Sequence, residues 1–160
     1  MMTELQQPGY LHALLNHLPI VGTGAGLFGL LVALFLRTRV ALVPALAIVI
    51  LAGISAWPVS VTGSNAYRPL MKISDDPGRD WLNEHMERAD RTAWVFYTMA
   101  AVAAVALTAP MKWPKTAIPL GIITGIAALA GLAAGGYIAQ AGGLVRHAEF
   151  RAPGHLPSTR

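Results

Sequence analysis

The sequence predicts an all-α fold, a four-helix transmembrane bundle running up, down, up and down. Three observations predict it. Of 160 residues, 54% are hydrophobic and only 12% charged, whereas a soluble domain carries about 25% charge. The charges are also segregated: Pro19 to Leu36, Val40 to Tyr67, Thr92 to Met111 and Thr116 to Val145 hold no Asp, Glu, Lys, Arg or His. Each run passes the roughly 18 residues a spanning helix needs. The links between the runs are short, which favours antiparallel neighbours. Buried helices of a soluble bundle are the competing reading.

The first helix is expected over residues 10–37, after Pro8 and Gly9, with Pro19 as a local kink. Its uncharged start with Glu4 and its long apolar run lack a convincing cleavage site, so it is expected to stay in the mature protein. The second helix is placed at 41–61, with Pro44 and Pro58 inside it; membrane helices tolerate such prolines. A polar loop over 62–79 follows, carrying a DDPG turn signal at Asp75 to Gly78. Asp80 suits an N-cap for the third helix, 80–107. The turn PMKWPK leads to the fourth, 116–139, and Gly142 and Gly143 are expected to end it before a C-terminal tail at 142–160. The chain is thus read as one integral membrane domain, 1–160.

Four crossings put both termini and the polar loop on one side. That layer holds four of the five histidines, His12, His17, His85 and His147. The opposite turns carry Arg37, Arg39, Lys112 and Lys115 without an acidic residue, which favours those turns being cytoplasmic and both termini periplasmic in a bacterial inner membrane, although the histidine side also carries Arg68, Lys72, Arg79, Arg88 and Arg91, interleaved with acidic residues. A net charge of +4 spread over scattered cations gives no nucleic-acid surface. The bilayer is the partner that composition demands.

No cysteine is present, which removes disulfides, thiolate metal sites, iron–sulfur clusters and covalent haem. Imidazole binds Zn, Cu, Fe and Ni, and paired imidazoles are axial ligands of haem b in helical bundles. The candidate cofactor is therefore haem b or a transition metal on His12, His17, His85 and His147, with Glu149 as a further metal ligand. Trp81, His85, Ala89 and Thr92 share a helical stripe. Five residues part His12 from His17, about 140° of turn, so they do not grip one ion unless the helix distorts near Pro19. Gly22 with Gly26, Gly121 with Gly125 and Gly131 with Gly135 have GxxxG spacing and are read first as helix packing. EHMERADR is read first as a solvated face, although Glu84, Glu87 and Asp90 could join a nonhaem site. A second Glu-x-x-His helix, as in di-iron bundles, is absent from the sequence.

The blocks LHALLNHLPIVGTGAGLFGLLV, VTGSNAY, NEHMERADRTAW and GGLVRHAEFR resemble those of a bacterial family of small four-helix transmembrane proteins, a domain of unknown function distantly reminiscent of dihaem b-type cytochromes. Where that pattern reads His-Pro-Glu, this chain has His147, Ala148 and Glu149. The resemblance implies a membrane bundle with a redox association and a respiratory or other redox complex as partner. His85 with either His17 or His147 is the axial pair to test first. A cofactor-free structural or assembly subunit, recruiting partners through small-residue helix faces, is the alternative; metal transport is weakened by membrane centres without charge or histidine. No GxSxG or GxxxxGK[ST] motif supports a hydrolase or a nucleotide site, and GTGAG opens a membrane helix instead of joining a strand to a helix. Whether the chain is an enzyme stays open at this point.

Overall fold

The computed structural model describes Gln7–Arg151. Its helices are α1 (Pro8–Leu15), α2 (Leu18–Leu36), α3 (Arg39–Ile73), α4 (Asp76–Lys112) and α5 (Ala117–Arg146), with single 3-10 turns at Pro114–Thr116 and Ala148–Phe150. With α1 and α2 taken as one interrupted rod, four segments are long and apolar enough to cross a membrane: Pro8–Leu36, Arg39–Ile73, Asp76–Lys112 and Pro114–Arg146. This is an all-α, four-helix, multi-pass membrane protein.

Glycine and alanine let the rods meet closely, and the order of the contacts gives their direction. A Cβ on Gly22 would meet Ala52, one on Gly26 would meet Val49, and one on Gly29 would meet Ala45, so α2 and α3 run antiparallel. Between α3 and α4, Arg39 donates to the Pro110 carbonyl, Gly53 lies against Phe96 and Ala100, and Tyr67 donates to Asn83. Likewise Gly121, Gly131 and Gly135 of α5 meet Leu34, Thr23 and Ile20 of α2. The GxxxG stripes are used inside the chain. In the middle lie Leu30, Val49, Met99 and Ala128, all fully buried.

The outward faces are apolar too. Phe28 is 71% exposed and Ile126 63%, a loss against water that lipid removes. Backbone groups in the bilayer must bond within their own helix, and Thr23, Thr62, Thr92, Thr108 and Thr124 return their hydroxyls to the carbonyl four residues back.

Four boundaries differ from the sequence reading. The segment 62–79 is not a loop: α3 continues through Pro69 to Ile73, and only Ser74 and Asp75 separate it from α4. At 35 residues α3 is about 52 Å long against a hydrocarbon core of about 30 Å, so its polar end stands outside the bilayer against the start of α4. There Arg79 Nε donates to the Met71 carbonyl at 2.9 Å. The N-cap of α4 is Asp75 rather than Asp80, its carboxylate accepting from the Gly78 N–H at 3.1 Å. The fourth span runs through Gly142 and Gly143 to Arg146, because the side chain of Arg151 takes up its terminal carbonyls at Leu144 and Val145. Finally, the first span is interrupted at Asn16 and His17. Pro19 has no N–H for the Leu15 carbonyl and restricts the residue before it. The last part of the expected tail, 152–160, lies outside the described residues.

Candidate functional site

Helix direction brings the start of α1, the start of α4 and the end of α5 to one end of the bundle, where the sequence expects the histidines. They do not form one cluster there. Among the described residues no group of three or more His, Asp or Glu is placed to hold a metal ion. Instead two of the four histidines pair.

His12 and His85 stand with ring centroids 6.2 Å apart and planes at 78°. They come from opposite corners, since the rod that includes α1 and the helix α4 both pack between α3 and α5. Each ring is half-buried and seated in the same way. The His12 ring lies over Gly63 of α3, where an added Cβ would be 3.0 Å from Cε1. Its Nδ1 is 3.1 Å from the Val59 carbonyl, four residues before that glycine. The His85 ring lies over Gly142 of α5, where a Cβ would be 3.0 Å from Nδ1. That Nδ1 is 3.0 Å from the Ile138 carbonyl, again four residues before the glycine.

This repeated seat fixes the chemistry of both rings. A carbonyl only accepts, so each Nδ1 carries hydrogen and donates; the neutral ring then keeps its lone pair on Nε2. Neither Nε2 has a hydrogen-bond partner among the described residues. Nδ1–H on a backbone carbonyl is also how a metal-bound imidazole is held in its tautomer and orientation.

Two more polar atoms accompany the pair. Asn16 Oδ1 and Trp81 Nε1 are buried without a hydrogen-bond partner. Asn16 is one turn after His12 and Trp81 one turn before His85, each on the same face as its histidine. Sequence reasoning placed Trp81 on the His85 stripe but gave Asn16 no part. Its spacing from His12, i to i+4, was the available signal.

The other candidates stand apart. His17 is exposed at the start of α2. His147, past the end of α5, is exposed, lies 2.9 Å from Glu149 Oε1 through Nδ1 and stacks on Phe150 at 5.2 Å. That contact holds the Glu149 carboxyl below its usual range. Neither histidine joins His85, so the pair given by the fold is His12 with His85, in place of His85 with His17 or His147. Nearby, the Glu84 carboxylate accepts from Arg88 Nε at 2.7 Å. The Arg88 guanidinium also lies 4.1 Å over the Tyr137 ring and donates to the Tyr137 carbonyl and Gln140, so Glu84 serves a clamp between α4 and α5. Glu87 pairs with Arg91.

No protein-family model, curated protein or solved structure matches this chain.

Proposed function

We propose that His12 and His85 would together hold haem b or a single transition-metal ion, and that the chain carries electrons in a bacterial inner membrane. The observation that carries this reading is two free Nε2 atoms on rings 6.2 Å apart. Two neutral imidazoles brought together from different helices are a donor set that iron, copper or zinc would accept. Two protein ligands fall short of a closed four-ligand zinc site, whereas a pair of imidazoles would suffice to hold a haem b. When bound, a haem would supply one-electron redox chemistry. Held by two protein imidazoles, it would serve electron transfer rather than bind a substrate.

The end with Arg37, Arg39, Lys112 and Lys115 has no acidic residue, but the histidine end carries as many cations, Arg68, Lys72, Arg79, Arg88 and Arg91 among them, so the positive-inside count alone does not choose the side. A respiratory or other redox membrane complex is the partner class that electron transfer requires.

A second reading rests on the same seats. An edge-to-face ring pair, each ring tied to a neighbouring helix, also fastens α1 to α3 and α4 to α5 with no cofactor; the chain would then be a structural or assembly subunit. Oxidised and dithionite-reduced spectra of the protein in mild detergent, with metal analysis on the same sample, separate the two. The electron-transfer reading expects a Soret band with sharp reduced α and β bands, or one stoichiometric metal. His12→Ala and His85→Ala should each abolish the signal, and His17→Ala and His147→Ala should leave it. Neither haem nor metal in cofactor-replete preparations would sink it and leave the structural subunit.

A further inference from the structure

The Trp81 indole is 7% exposed, and its Nε1–H has no acceptor among the described residues. A buried donor without an acceptor is costly, and native folds rarely leave one. Its position gives it a use. Trp81 precedes His85 by one turn, about 6 Å along α4, on the side away from the membrane centre, because α4 enters the bilayer after residue 85. A metal ion lying on the histidine Nε2 atoms would not reach it. A flat macrocycle bound edge-on to the bundle axis would bring its rim and short side arms to that level.

We infer that the group held by His12 and His85 is a carboxylate-bearing porphyrin whose carboxylate accepts the Trp81 Nε1–H at the polar end of the bundle. This rests on the bis-imidazole reading and narrows it, since it selects the macrocycle over the bare ion. At that outer, polar end headgroup water also solvates the carboxylates, which turns them outward.

The test uses the full-length protein in detergent, freed of bound cofactor, titrated with ferric haem b and separately with its dimethyl ester, which retains the iron and ring but has no ionised carboxylate. Binding is read from the Soret band. In the wild type the free acid should bind more tightly than the ester. Trp81→Phe keeps an aromatic ring and removes the N–H. It should weaken free-acid binding by about tenfold or more, the range of a charged hydrogen bond, weaken ester binding distinctly less because an ester carbonyl is only a neutral acceptor, and keep the bis-histidine band positions. Equal affinity of the wild type for acid and ester overturns the inference, and so does a Trp81→Phe variant that binds the two as the wild type does. In either case a spectrum still lost in His85→Ala preserves the histidine centre. A wild type that binds neither form overturns the haem version of that centre and this inference with it. Should Trp81→Phe not fold, the indole N–H vibration of the wild type, followed by ultraviolet resonance Raman, decides: it should shift on loading with the acid and distinctly less with the ester.

Discussion

Gly142→Ala and Gly143→Ala differ by one position, yet the structure sets opposite outcomes for them. At Gly143 an added Cβ meets nothing within 4 Å. Alanine is favoured over glycine by about 1 kcal/mol in a helix interior, so this variant should be neutral or slightly more stable. At Gly142 the Cβ would lie 3.0 Å from His85 Nδ1 and 3.1 Å from Cε1, against an ordinary contact of about 3.5–4.0 Å. The ring must retreat by about 0.5 Å, which draws Nδ1 away from the Ile138 carbonyl, now 3.0 Å distant. Crowding of this kind costs about 1–3 kcal/mol and the weakened hydrogen bond about 1 kcal/mol. After the gain in helix propensity, a net loss of about 1–3 kcal/mol remains. Thermal unfolding of the two variants in one detergent measures it, and if His85 holds a cofactor as proposed, its affinity read by absorbance should fall about tenfold in Gly142→Ala alone. Equal behaviour of the two variants would refute the idea that a glycine seat positions the imidazole.

Gly53→Ala should be more severe than either. Its Cβ would lie 2.5 Å from the Phe96 carbonyl oxygen and 2.7 Å from Ala100 Cβ, backbone that cannot swing aside, so a loss of about 2–3 kcal/mol is expected in the same unfolding assay. Arg37 is the single non-glycine residue with positive φ among the described residues, at 53°. Arg37→Gly should therefore relieve about 1 kcal/mol of left-handed strain, seen as a raised unfolding temperature. The hydrogen bond from Arg151, at 2.6 Å, holds the Asp75 carboxyl below its usual range. A group with a depressed folded value stabilises above its unfolded value, about 3.9, and loses that contribution as pH falls through the folded value. The unfolding temperatures of wild type and Asp75→Asn should differ at neutral pH and converge in acid below that range; a gap that persists there would disprove it.

Hydropathy made the four spans legible, because a bilayer imposes its demand on composition directly. Val40 to Tyr67 and Thr116 to Val145 lack charges whatever their neighbours are. The same signal failed at 62–79 for a physical reason. It detects lipid, and a helix that has left the bilayer becomes polar without ceasing to be a helix, as Arg68 and Lys72 do on α3. Asp75 was visible within the DDPG signal; the better cap was obscured by treating the whole stretch as loop.

The histidine pair was half legible. Topology and charge-free runs were enough to gather the histidines at one end, but their partners depend on packing depth and on which faces meet. The i to i+5 spacing of His12 and His17 ruled out a shared ion on a straight helix, and the break at Asn16 does not bring them together. It leaves His12 on a separate short helix that leans on α3. On the other side, Gly142 reads in sequence as a helix breaker, while in the bundle it is the space that the His85 ring occupies. Its meaning changes with what stands opposite, as does that of Gly63 beneath His12. Both glycines lie four residues after the carbonyl that receives the imidazole, Val59 to Gly63 and Ile138 to Gly142. A histidine facing such a glycine across an antiparallel helix pair is thus a pattern of two segments, found only by aligning the helices in space. One seat alone would be a helix fastener. Two, on opposite corners with both free nitrogens left unbonded, are what a centre held between the helices requires.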